Sequence, residues 1–96
     1  MHVSVRKYAI RGSMDELLKR IREGFVPIVR KAPGFKSYSV VKLRGNGVVT
    51  ISVFDSQAQA MHSNDLAAEW VRENVASFAD GPPEITSGEM VIHETA

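Results

Sequence analysis

The tetrapeptide Arg44-Gly45-Asn46-Gly47 stands between two alternating apolar runs, and it dictates an antiparallel hairpin in the middle of the chain. The runs are residues 35–43 (FKSYSVVKL) and 48–54 (VVTISVF), both rich in the β-branched and aromatic types that suit a pleated surface. No helix follows this Gly-rich turn directly, so it is not read as a phosphate-binding loop. Whatever folds on either side must pack against that central hairpin.

The flanks are matched. Residues 2–10 (HVSVRKYAI) alternate and read as a first strand closed by Arg11-Gly12. Ser13-Met14-Asp15-Glu16 is a capping box opening a helix whose inward stripe is Leu17, Ile21, Phe25 and Ile28. Arg30 and Lys31 suit its negative end, and Ala32-Pro33-Gly34 stops it. Pro27 lies inside this helix and, with Gly24, predicts a kink or a detached last turn. After the hairpin, Ser56 and Gln59 form a second capping box. The helical pattern then runs to about Phe78, with a candidate restart at Ser63 or Asn64. Asp80-Gly81-Pro82-Pro83 breaks the pattern, and residues 84–94 form a last strand with a bulge expected at Gly88.

Strand, helix, hairpin, helix, strand is an α+β order. Right-handed crossovers make it a ferredoxin-like β-α-β-β-α-β unit, with both helices on one face of a four-stranded antiparallel sheet. The 96 residues are read as a single domain, 1–96. In the third strand Val49, Ile51 and Val53 fill one side, and Val48, Thr50, Ser52 and Phe54 the other. In the second, Tyr38 and Val40 oppose Phe35, Ser37, Ser39, Val41 and Leu43. Neither side is a plain solvent face, so the chain is expected to pair as a homodimer through its sheets, closing an α/β barrel.

Charge and composition narrow the partners. Twelve basic and eleven acidic residues are interleaved, giving a net charge of +1, which speaks against nucleic acid. There is no cysteine, which removes disulfides, thiolate metal sites and cysteine nucleophiles. No apolar run has the roughly 18–20 residues of a membrane span. Without a signal-peptide pattern at its start, the chain is expected to be cytoplasmic.

Four stretches carry a resemblance: Gly24-Phe25-Val26-Pro27-Ile28, Ala32-Pro33-Gly34-Phe35, residues 63–74 (SNDLAAEWVREN), and Gly81-Pro82-Pro83-Glu84. In these the chain resembles small bacterial members of the antibiotic biosynthesis monooxygenase-like group, within the dimeric α/β barrel superfamily. The resemblance runs from His2 to His93. It implies a ferredoxin-like subunit, two sheets packed into a barrel, and a pocket between sheet and helices. It also implies, for some members, oxidation of aromatic polyketide or quinol substrates by dioxygen without a cofactor. The haem-degrading branch relies on an Asn in the first strand and a Trp followed by a His on the second helix. Here the first strand has no Asn and His62 precedes Trp70, which disfavours that activity.

Six residues are candidates for chemistry. His62, on the second helix, is the candidate base, against the plainer reading of a solvent-facing histidine. His62 and Asp65 share a helical face, but two ligands make no metal site, and none is assigned. Trp70 falls on the stripe Ala67, Trp70, Val71, Phe78 and reads as core before ligand platform. Asn74 lies by angle within that stripe, or satisfies carbonyls at the helix end. Tyr8 and Tyr38 offer hydroxyls to a substrate oxygen or, the preferred reading, to the dimer interface. Phe54, with Trp70, would wall a pocket. Two functions follow: a cofactor-free oxygenase acting on a small aromatic or quinol-type substrate, or a non-catalytic dimer that binds a small apolar ligand or modulates another protein.

Overall fold

A computed structural model describes all of residues 1–96. Strand β1 (His2–Ala9) leads to helix α1 (Met14–Arg20), a π-turn (Ile21–Phe25) and helix α2 (Val26–Arg30). The hairpin strands β2 (Phe35–Lys42) and β3 (Gly47–Phe54) follow, then helix α3 (Gln57–Asn74), a 3-10 turn (Ala76–Phe78) and strand β4 (Glu84–Glu89). The sheet is antiparallel in the order β2-β3-β1-β4, which is the ferredoxin-like arrangement. No helix is long and apolar enough to cross a membrane.

The two N-caps form as the sequence predicts: Ser13 Oγ accepts from the Glu16 amide at 3.2 Å and Ser56 Oγ from the Gln59 amide at 3.3 Å. Neither box closes its reciprocal half: Glu16 Oε1 accepts from Arg20 Nε at 3.0 Å instead, and Gln59 Oε1 is buried without a partner. Helix α3 is continuous, so neither Ser63 nor Asn64 starts a new helix. Ser63 is buried and its hydroxyl donates to the Ala60 carbonyl at 2.6 Å.

Pro27 is accommodated by a change of hydrogen-bond step. The Val26 amide reaches back five residues to the Ile21 carbonyl, which inserts one extra residue before α2 and leaves Pro27 in its first turn. That insertion rotates everything after it by one position. Val29 therefore takes the inward place expected for Ile28, which is 41% exposed. Leu17, Ile21, Phe25 and Val29 form the buried stripe, four residues apart throughout.

The hairpin turn also differs in detail. Asn46-Gly47 does not form a two-residue turn. Leu43 donates to the Gly47 carbonyl, and Gly45, at φ 79°, is the left-handed residue. The Asn46 carbonyl accepts from the Ile10 amide, so a contact with the end of β1 shapes the loop. The bulge expected at Gly88 lies elsewhere: Gly88 pairs in register with Val3, and the irregularity falls in β2 between Phe35 and Ser37. It turns Phe35 from the outer face to the helix side, edge-on to Phe54 at 5.9 Å. Strand β4 ends at Glu89 rather than residue 94.

Register sorts the sheet into two faces. Toward the helices point Ser4, Arg6 and Tyr8 of β1, and Val48, Thr50, Ser52 and Phe54 of β3. Away from them point Val3, Val5, Val49, Ile51, Val53 and, from β2, Val41. The helices pack on β1, β2 and β3. Every residue of β4 is exposed, so the helix side of the sheet is open along that edge.

Candidate functional site

Where the first helical segment and α3 roof the sheet, they enclose an apolar void of about 40 Å³. Tyr8, Tyr38 and Val48 form its floor, and Ile21, Phe25 and Trp70 its walls. The aromatic rings are packed on one another. Phe25 stands edge-on to Tyr38 at 5.5 Å and tilted against Trp70 at 5.6 Å. The π-turn makes this contact close, since a Cβ on Gly24 would lie 2.9 Å from Trp70 Cζ2. Burial pushes the Tyr38 hydroxyl up to about 12, against the opposing pull of the nearby Arg6 charge. Burial raises Tyr8 in the same way, again with Arg6 opposing. Both hydroxyls stay protonated near neutral pH and are donors.

Behind the tyrosines lies a polar network that the sequence reading missed. Arg6 is 1% exposed, on the central strand and facing the helices. Its Nε donates to Thr50 Oγ1 at 3.2 Å, Nη1 to Asn64 Oδ1 at 2.7 Å and Nη2 to Ser52 Oγ at 3.0 Å. Ser4 Oγ donates to the same Asn64 oxygen at 2.6 Å, and Ser87 Oγ donates to Ser4 Oγ at 3.2 Å. Every acceptor in the set is neutral. The chain's three ion pairs, Arg11–Asp80, Arg20–Glu16 and Lys36–Asp55, are on the surface and exclude Arg6.

Arg6 and Tyr8 also form the inner end of a larger groove of about 370 Å³, a volume common for small-molecule sites. It runs along the uncovered edge of the sheet, between α3 on one side and Gly81, Pro83 and Ile85 on the other, with Arg72 at its rim. Arg6, Tyr8, Val71 and Ala79 line both spaces. Neither lining includes a His, Asp, Glu or Lys, and nowhere in the chain do three His, Asp or Glu side chains come together as a metal site would require.

The six predicted residues separate. Tyr8, Tyr38 and Trp70 meet in the pocket; the tyrosines face the helices, opposite to the outer face on which their interface reading depended. Trp70 is both core and wall. Phe54 is fully buried beneath Phe35 and lines neither space. His62 is exposed and lines neither space, because α3 turns Ala60, Ser63, Ala67 and Trp70 to the sheet and leaves residue 62 on the outer side. A base at His62 has no place in this site. Asn74 is also exposed; its amide donates to the Trp70 carbonyl at 3.0 Å, the role of a residue closing a helix.

Arg6 left a trace in the sequence. It shares a phase with Ser4 and Tyr8 on a strand whose other phase, Val3 and Val5, is apolar. Asn64 left less, since an Asn in that context also reads as a cap.

No protein-family model and no curated protein matches the sequence. Solved structures do match. A protein of unknown function from Nitrosomonas europaea superposes with a TM-score of 0.79 over 99% of this chain and 93% of its own, at 16% identity. A monooxygenase from Streptomyces coelicolor, in complex with nanaomycin D, gives 0.71 over 98% and 92%, at 22% identity. SnoaB, a cofactor-independent oxygenase from Streptomyces nogalater, gives 0.76 over 96% and 94%, at 13% identity. The fold is that of the antibiotic biosynthesis monooxygenase-like proteins. At these identities the likeness is one of architecture, and it agrees with the resemblance drawn from the sequence.

Proposed function

We propose that this protein is a cofactor-independent oxygenase that holds a small aromatic or quinol-type substrate in the groove and oxidises it with dioxygen. One observation carries the reading: a ligand-sized groove and an aromatic-walled void share the Arg6–Tyr8 pair as lining. Two proteins of this fold are oxygenases, one described as cofactor-independent. The groove takes the organic substrate. The inner void, apolar and too small for it, suits dioxygen, since apolar cavities stay dry. For a substrate bearing an oxidisable methylene, the step balances as one methylene carbon plus dioxygen giving a carbonyl and one water. One oxygen atom goes to the carbon. The other leaves as water with both methylene hydrogens.

The lining supplies no side-chain base, so the proton leaves to solvent through the open edge, and the Tyr8 hydroxyl, which lines both spaces, donates to the resulting oxyanion. Trp70 and Phe25 wall the void in which dioxygen is held. The valine-rich outer face is proposed to pair with a second copy, giving a homodimer.

The test is dioxygen uptake with dithranol, an anthrone, measured against its spontaneous oxidation in buffer. Uptake that saturates with substrate and falls in Tyr8→Phe supports the reading; a rate equal to that of buffer overturns it. The missing base favours a second reading, a dimer that binds such a ligand without changing it. Saturable binding of dithranol with unaltered oxidation would select that one.

A further inference from the structure

From the Arg6 network we infer that the groove is a site for organic anions, with the anionic oxygen seated on the buried guanidinium. The inference deepens the functional reading and rests on it only in taking this groove as the ligand site. A guanidinium carries five N–H donors. Three are satisfied here by Thr50, Ser52 and Asn64, and the neutral Tyr8 and Tyr38 hydroxyls stand beside the guanidinium as its other neighbours. None of the satisfied ones meets a negative charge. A cation removed from water without an opposite charge is costly, and proteins ordinarily place a carboxylate beside it. Here no carboxylate lines either space, while a second cation, Arg72, stands at the groove's rim. The counter-charge therefore has to come from what binds.

The surrounding residues are set for that role. Asn64 Oδ1 accepts from both Ser4 and Arg6, and Ser52 and Thr50 hold the other edges, so the guanidinium is fixed before a ligand arrives. The Tyr8 hydroxyl adds a protonated donor on the same wall. Val71, Ala68 and Ile85 offer apolar surface to the rest of the molecule. The chemical class is a flat aromatic body bearing one anionic oxygen, as a carboxylate, an enolate or an acidic phenolate. This also relieves the lack of a base, since a substrate that arrives ionised needs none.

The experiment is calorimetric binding of 2-naphthoate and its neutral counterpart 2-naphthamide to the wild-type protein and to Arg6→Met. The wild type should bind the carboxylate at least about tenfold more tightly than the amide. Arg6→Met should lose that preference, binding the two probes about equally. Added salt should weaken the carboxylate alone. Equal affinities in the wild type, or a preference unchanged by Arg6→Met, would overturn the inference. If Arg6→Met fails to fold, the wild-type ratio and its salt dependence decide alone, with Arg72→Gln expected to weaken the carboxylate about two- to fivefold through its rim charge. Neither probe is oxidised, so an anion preference without dioxygen uptake refutes the oxygenase reading only. Uptake without that preference refutes this inference only.

Discussion

Replacing Gly24 by alanine tests the close packing of the π-turn on α3, and the chain carries its own reporter. The new Cβ would lie 2.9 Å from Trp70 Cζ2, 3.2 Å from Nε1 and 3.3 Å from Cε2. The indole cannot simply swing away, because Phe25 packs against it at 5.6 Å and it is 8% exposed. Overpacking of this kind costs about 1–3 kcal/mol. Exchange of glycine for alanine in a helical segment returns about 1 kcal/mol. The net is a loss of about 1 kcal/mol, measured by urea unfolding. Trp70 is the only tryptophan, so its emission should move to longer wavelength as the ring leaves its site. Gly45→Ala is the control: Gly45 has φ 79° and no atom within 4 Å of its Cβ position. It should cost a similar amount, about 1–2 kcal/mol, through backbone strain alone, with the emission unmoved. A Gly24→Ala protein as stable as the wild type, with the same spectrum, would refute the packing argument.

Other consequences are open to direct measurement. Tyr38 holds its proton more strongly in the folded chain, so the unfolded chain releases its proton first; this stability is whole below about pH 10.0 and is lost as pH rises toward about 12. Two pH units correspond to on the order of 3 kcal/mol, so wild-type stability should fall more steeply than that of Tyr38→Phe across this window; parallel curves would count against burial as the cause. Ile51→Glu places a charge at the centre of the outer face and should convert the proposed dimer to a folded monomer by native mass spectrometry; an unchanged mass would exclude that face as the interface. Ser56→Ala removes the α3 cap and should cost about 1 kcal/mol in urea unfolding without altering ligand affinity.

Local rules carried the architecture. Strand alternation, Ser13 and Ser56 as caps, and the glycine-rich turn place every element, because each depends on neighbours within a few residues. What failed depends on distant contacts. The step that puts Val29 rather than Ile28 inside is a shift of one backbone hydrogen bond; Gly24 and Pro27 mark its position, but not that it inserts a residue and so changes the inward face. Phe35 faces the helices because of a bulge that its own alternation does not show. Within the site, the aromatic residues were legible and the charge was not. Arg6 on a strand invites a solvent-facing reading, Asn64 reads as a cap, and their pairing spans 58 residues. His62 drew attention for its chemistry alone, and helix geometry turns it outward.

Both faces of this sheet carry apolar side chains, and the polar set buried beside the core under the helices ties fold to function. On the central strands, the face under the helices carries Ser4, Arg6, Thr50 and Ser52, all buried, while the face without a helix carries Val3, Val5, Val49, Ile51 and Val53. An isolated subunit tuned for stability alone would not bury these four polar groups, since each must recover its lost hydration through hydrogen bonds. A chain of this length has little stability to spare. The arrangement becomes economical when a second copy covers the valines, because burial there stabilises the subunit while the helix side keeps a charge that weakens it. That charge lies on the strand beside the one edge the helices leave open, among the residues lining the groove. The proposed association on one face and the proposed recognition on the other are thus separable. Ile51→Glu should therefore weaken ligand binding only as far as it loosens the fold, whereas Arg6→Met should remove the proposed anion preference and leave the proposed dimer in place.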